Sequence, residues 1–122
     1  MTKIAIIEDD SVINQMYRMK FEAEGFEVEV ADNGKTGIEL VKTFQPDIAL
    51  MDLQMPEMTG DEALQEIRSQ SWGKNLPVII LTNLGAEEAP KSLRQLNVQS
   101  YIVKADLTPS QVVDRVKRAL AA

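Results

Sequence analysis

A chain of 122 residues, 44% hydrophobic and 26% charged, has the balance of one globular domain and enough length to bury a sizeable core. Its net charge of −6 disfavours nucleic acid as the main partner, because phosphate binding needs clustered cations. With no cysteine and no histidine, the sequence excludes disulfides, thiolate chemistry, a His-based triad, a His-ligated metal and a histidine phosphodonor. No basic-then-apolar leader precedes a small-residue cleavage site, and no apolar run is long enough to cross a bilayer. A cytoplasmic location is therefore expected.

Strand and helix signals alternate along the chain. Lys3 to Ile7 is a short apolar run that ends directly on Glu8-Asp9-Asp10. Ser11 to Glu24 is expected to be helical, with Ile13, Met16, Tyr17 and Phe21 on its inward face and Gly25 as its stop. Phe26 to Val30 alternates strictly between apolar residues and glutamate. Lys35 to Phe44 is helical, with Ile38, Val41 and Phe44 aligned, and Pro46 ends that segment. Ile48 to Met51 is an apolar run, Asp61 to Arg68 is helical, and Val78 to Leu81 is apolar again. A fourth helix is expected within Glu87 to Leu96, its start limited by Pro90. Tyr101 to Val103 closes the strand series. Thr108-Pro109-Ser110-Gln111 reads as a capping box with proline at the first helical position, opening a last helix that turns Val112, Val113, Val116 and Leu120 inward. Its cations, Arg115, Lys117 and Arg118, suit a helix C-terminus better than a nucleic-acid surface.

Five strands alternating with five helices predict a parallel sheet covered on both faces, an α/β doubly wound domain. The first, third and fourth strands are apolar throughout, as central strands should be, whereas the alternating second strand suits an edge. Right-handed crossovers then favour the flavodoxin-like (βα)5 order 2-1-3-4-5, with a ligand crevice at the switch point between strands 1 and 3.

That crevice receives Glu8 and Asp9 from strand 1 and Asp52 from strand 3. Two carboxylates about 4 Å apart repel by roughly 4 kcal/mol at an effective dielectric near 20. Three converging on one crevice need a cation, and an all-oxygen site suits Mg²⁺ or Mn²⁺. Asp10, which precedes the first helix, reads instead as a helix-end residue. Thr82 and Lys104 stand at the carboxyl ends of strands 4 and 5. A carboxylate nucleophile, a divalent metal, a hydroxyl and an ammonium together make a phosphoryl-transfer site.

The pattern IIEDD … MDLQMPEMTG … ILTN … YIVKA resembles the receiver domain of two-component response regulators, from Lys3 into the last helix. The spacings agree: 43 residues from Asp9 to Asp52, 30 from Asp52 to Thr82 and 22 from Thr82 to Lys104. The resemblance implies that Asp52 is the phosphoacceptor, taking phosphoryl from a phosphohistidine on a histidine kinase or a histidine phosphotransfer protein. It implies that Asp9 and Asp52 ligate Mg²⁺ directly, Glu8 through water, and Gln54 through its backbone carbonyl. Lys104 then pairs with Asp52 and the phosphoryl group, Thr82 hydrogen-bonds the phosphoryl oxygen, and Tyr101 is the switch aromatic. A surface of helix 4, strand 5 and helix 5 is expected to change shape on phosphorylation and to control a partner. The whole chain, residues 1–122, is read as one such signalling domain rather than an enzyme. It is either a stand-alone receiver or one cut from a longer regulator.

Two positions depart from the family pattern. Lys104 is followed by Ala105 where the family usually has proline, often after a cis bond, so the loop is either trans or held under strain. Asn83 follows Thr82 where a small residue is usual, which narrows access to the phosphoryl group. Three rival readings stand beside the receiver. A flavodoxin-like cofactor carrier would place a phosphate-binding loop where this chain has Glu8-Asp9-Asp10. A metal-dependent phosphatase using Asp52 would want a second acid at position 54, which is Gln. An adaptor of receiver shape would need no phosphorylation at all.

Overall fold

A computed structural model describes residues 1–121. Five strands, β1 (Lys3–Ile7), β2 (Glu27–Ala31), β3 (Ile48–Met51), β4 (Val78–Thr82) and β5 (Ser100–Val103), form one sheet in the order β2-β1-β3-β4-β5. Every pairing is parallel. Four helices, α1 (Ser11–Ala23), α2 (Gly34–Phe44), α3 (Gly60–Arg68) and α4 (Pro109–Ala121), cover it. This is the flavodoxin-like order expected from the strand compositions.

The two faces of the sheet follow from the alternation of side chains along each strand. Ile4, Ile6, Ile48, Leu50, Ile79, Leu81 and Ile102 point to one side and pack with Tyr17 and Phe21 of α1 and Val112, Val113 and Val116 of α4. Ala5, Ile7, Ala49, Met51, Val78 and Ile80 point to the other and meet Val41 of α2 and Ala63, Leu64 and Ile67 of α3. Every residue of β3 and β4 is buried, which is why those segments read as unbroken apolar runs. On the edge strand β2, Glu27 and Glu29 are exposed and Val28 is buried. Each fully buried aliphatic side chain contributes about 1.5–3 kcal/mol, so the three central strands β1, β3 and β4 carry much of the stability.

The helix ends match local chemistry. The Asp10 carboxylate accepts from the backbone N–H of Val12 and Ile13 and caps α1. Gly25, with φ of +94°, takes the left-handed conformation that lets the chain turn back toward β2. Thr108 and Gln111 exchange hydrogen bonds at the start of α4, Thr108 N–H to Gln111 Oε1 at 2.8 Å and Gln111 N–H to Thr108 Oγ1 at 3.2 Å.

Two expectations are corrected. The fourth helix does not form: Ala86–Glu88 and Lys91–Gln95 are short 3₁₀ turns. Pro90 divides them because it has no N–H and forces Ala89 into extended backbone, with φ of −64° and ψ of 142°. The fold is thus five strands with four α-helices and 3₁₀ turns. Met16 is 40% exposed, and Asn14 takes a buried place on α1 beside Tyr17 and Phe21. Met16 lies one residue, about 100° of rotation, from Tyr17, which carries it off the buried stripe.

Candidate functional site

The sheet register brings the acids together. Ile7 pairs with Met51 across β1 and β3, so the residues that follow them, Glu8 and Asp52, emerge side by side. Backbone bonds fix both: Asp52 N–H donates to Ile7 O at 3.0 Å and Glu8 N–H to Ala31 O at 3.0 Å. One carboxylate oxygen each from Glu8, Asp9 and Asp52 lies within 4.8 Å of the others. Glu8 and Asp52 are buried, at 4% and 6% exposure, while Asp9 opens to solvent.

Lys104 follows β5 and reaches this cluster from the far side of β4. Its ammonium hydrogen-bonds Asp52 Oδ2 at 3.0 Å and also Glu8 Oε1. The remaining oxygens are held by backbone: Gln54 N–H donates to Asp52 Oδ1 at 3.2 Å and Asp10 N–H to Glu8 Oε2 at 3.1 Å. Burial pushes the Glu8 carboxyl up to about 6, against the lowering effect of its bonds to Lys104 and Asp10, and the nearby Asp52 charge pushes the same way. Burial alone would lower the Lys104 ammonium, but the hydrogen bonds and charges of Glu8 and Asp52 together raise it.

One ammonium therefore faces three carboxylates, and the cluster still lacks positive charge. The donors are hard carboxylate oxygens with no nitrogen or sulfur among them, on a partly open crevice. They fit a small divalent ion such as Mg²⁺, which keeps several waters and takes one or two carboxylates. Removing positive charge from such a site leaves buried like charges in contact, and adding a cation relieves them.

Thr82, at the end of β4, is fully buried, and its hydroxyl accepts from Leu84 N–H at 3.4 Å. Tyr101 on β5 is half-buried and donates its hydroxyl to Leu84 O at 3.0 Å. Residues 82, 84 and 101 thus form one hydrogen-bonded chain beside the acids. Asn83 is exposed, as is Gln54. No peptide bond among the described residues is cis, so Lys104–Ala105 is trans and opens a 3₁₀ turn, Lys104–Asp106. The Asp10 carboxylate, busy capping α1, stands apart from the acid cluster.

Two residues that hold the crevice in place escaped the sequence reading. Asn14 Nδ2 donates to Glu8 O at 2.9 Å and Ala31 O at 3.4 Å, tying the acid loop to α1. Its signal was a polar residue on a helix stripe otherwise apolar. At Gly60 a Cβ would stand 2.1 Å from Asp52 O and 2.9 Å from Leu53 Cα. Only glycine lets the start of α3 approach β3 so closely, and Gly60 N–H donates to Leu53 O at 3.0 Å. No periodicity or spacing announces that contact.

Comparison with known proteins agrees with this geometry. The family model described as "Response regulator receiver domain" matches residues 4–117. Chemotaxis protein CheY of Treponema pallidum is 32% identical over 121 residues, covering 97% of this chain and 82% of that protein. Regulatory protein AtoC of Escherichia coli is 34% identical over 119 residues, covering 97% of this chain and 25% of AtoC. The chain spans only 25% to 52% of AtoC, SilR and PhoB, the longer regulators it matches. Among solved structures, chemotaxis protein CheY4 of Vibrio cholerae superposes with a TM-score of 0.89 at 27% identity, covering 98% of each chain. Matched in sequence from its first strand into its last helix, and in fold by CheY-like structures, this chain belongs to the response regulator receiver domain family.

Proposed function

We propose that this chain accepts a phosphoryl group on Asp52 from a phosphohistidine on a histidine kinase or phosphotransfer protein. The observation that carries this reading is the joint grip on Asp52: Lys104 Nζ on Oδ2 and Gln54 N–H on Oδ1, with Glu8 and Asp9 alongside. Receiver domains of response regulators work with histidine kinases and downstream targets, and membership of that family supports a donor of this class.

In the transfer, one oxygen of Asp52 forms a bond to phosphorus while the phosphorus–nitrogen bond of the phosphoimidazole breaks, its electron pair staying on nitrogen. An ionised carboxylate needs no general base, which suits a site without histidine. Glu8, Asp9, Asp52 and the Gln54 carbonyl would hold Mg²⁺, with Mn²⁺ an acceptable substitute; when bound, the ion neutralises carboxylate and phosphoryl charge alike. Lys104 is placed to follow its charge from Asp52 to the new phosphoryl oxygens.

Phosphorylation adds about −1.5 to −2 charge and three strong acceptors at Asp52. The Thr82 hydroxyl accepts from Leu84 N–H and keeps its own hydrogen free to donate, so its movement toward that charge draws Leu84 along and loosens the bond from Tyr101 to Leu84 O. Tyr101 then turns inward. The surface of the 3₁₀ turns at 86–95, β5 and α4 changes shape and is read by a downstream protein or by an output domain. The chain acts on itself and on no separate substrate, and we place it in the cytoplasm. No helix among the described residues is long and apolar enough to cross a membrane.

The test is labelled phosphoryl uptake from a small phosphodonor in the presence of Mg²⁺, for wild type and Asp52→Asn. Wild type incorporates label and Asp52→Asn does not. Undiminished incorporation in the variant overturns the assignment.

A further inference from the structure

Tyr17 is the one polar side chain in a wall of aliphatic and phenyl groups. It lies on α1, 3% exposed, among Ile4, Ile6, Phe21, Leu50 and Leu81 on one face of the sheet. Leucine or phenylalanine would fill that place with no hydroxyl at all, and a tyrosine hydroxyl at the edge of an apolar wall ordinarily finds a partner.

The surroundings say which partner. A small cavity of about 10 Å³ lies between Tyr17 and the carboxyl ends of the central strands, and Glu8 and Asp52 are in its lining. The rest of the lining is aliphatic, from Ile6, Ile7, Leu50, Met51 and Leu81. That volume is close to the room one water needs, and a water needs two to four polar partners, roughly what a phenol and two carboxylates offer. The phenol also senses the crevice electrostatically. Burial raises it above the ordinary tyrosine range, with the Lys104 ammonium lowering it and the Glu8 carboxylate raising it.

We propose that Tyr17 is a positioning residue for the acid crevice, its hydroxyl bracing the Glu8 and Asp52 carboxylates from beneath through one water in this cavity. Lys104 and the backbone hold the two carboxylates from other directions. The tyrosine adds a donor on the apolar side, where none of those bonds reaches. A brace of this kind keeps Glu8 aimed outward, so its loss weakens cation binding more than it weakens the fold.

The inference rests on the receiver reading, and its test separates the two. Mg²⁺ dissociation constants are measured by calorimetry for wild type and Tyr17→Phe, which keeps the ring and removes only the hydroxyl. Loss of one water-mediated hydrogen bond of ordinary net strength predicts about 2- to 12-fold weaker Mg²⁺ binding. Phosphoryl uptake at saturating Mg²⁺ stays within about twofold of wild type, so the defect falls on the Mg²⁺ concentration needed and not on the maximal rate. In wild type alone, the NMR signals of the Tyr17 ring shift on adding Mg²⁺, a readout that needs no variant. Equal affinities, or a Tyr17 signal indifferent to Mg²⁺, overturn the brace. A wild-type protein that binds no Mg²⁺ overturns the receiver reading itself.

Discussion

At the scale of single residues, the site is a contest among charges that packing has already placed. Lys104 cannot neutralise three carboxylates, and its two bonds go to Glu8 and Asp52, leaving Asp9 to solvent. That division suits a crevice whose outer lip is open for a metal while its inner wall is fixed. Gly60 shows how tightly the wall is fixed. A methyl group there would have to displace the Asp52 carbonyl, 2.1 Å away, and the main chain at Asp52 moves with it. Overpacking of a well-filled site costs about 1–3 kcal/mol. Gly60→Ala is therefore expected to lower the unfolding free energy by that amount, read as a lower denaturant midpoint, and to slow phosphoryl uptake. A variant with unchanged midpoint and uptake would show that the loop at 53–59 yields freely.

At the scale of elements, the fourth crossover is where this chain departs most from regular alternation. Residues 86–95 carry helix-compatible side chains, yet only i→i−3 bonds form, such as Leu93 N–H to Pro90 O at 3.1 Å. Arg68 pins the far end of the segment: its guanidinium donates to Leu96 O at 2.8 Å, Asn97 O at 3.2 Å, and the carbonyls of Gly73 and Leu76. The near end is held by Tyr101 through Leu84. A stretch anchored at both ends and poorly hydrogen-bonded between them is well placed to move. Pro90→Ala restores an N–H and releases Ala89, and it should let 87–96 close α-helical bonds. Far-UV circular dichroism is expected to gain helical signal, and amide exchange in the segment to slow; an unchanged spectrum means that Arg68 and packing, not proline, hold the turns. The elements that sequence made legible were those with an unbroken pattern: the apolar runs of β1, β3 and β4, the alternation of β2, the capped start of α4. The fourth crossover was not legible, because side-chain spacing announces a helix whether or not one proline divides its hydrogen bonds. The acids, Thr82 and Lys104 were legible because each ends a strand, and strand order alone carries them to one crevice. Gly60 and Asn14 were not, since their roles depend on close approaches between elements far apart in sequence, and Tyr17 was legible only as an inward-facing residue of α1.

At the scale of the whole molecule, the buried acids tie stability to pH and to divalent metal. Glu8 ordinarily ionises near 4.5, and burial raises it to about 6 in the folded protein. Between those values the folded state binds the proton more tightly than the unfolded chain, so ionising Glu8 subtracts stability as pH rises through that window. The penalty is absent below the lower value and complete above the upper one. Other carboxylates shift the opposite way: Glu24 is held down by the hydrogen bond and charge of Lys117, and Glu62 by bonds from Thr59. The effect is therefore read as a difference between wild type and Glu8→Gln, in which those groups cancel. In chelator-treated protein, Glu8→Gln is expected to gain on wild type as pH climbs through the Glu8 window and to hold a constant advantage above it. Mg²⁺ reverses the order. Binding to the folded state alone stabilises by about 2.7 kcal/mol at a hundredfold excess over the dissociation constant, which the ionised wild-type site receives and the amide variant largely forgoes. Thermal melts of both proteins across this pH range, with and without Mg²⁺, check the prediction. A wild-type melting temperature indifferent to Mg²⁺ at neutral pH contradicts it, because like charges in that crevice have no other source of relief large enough to match a divalent ion.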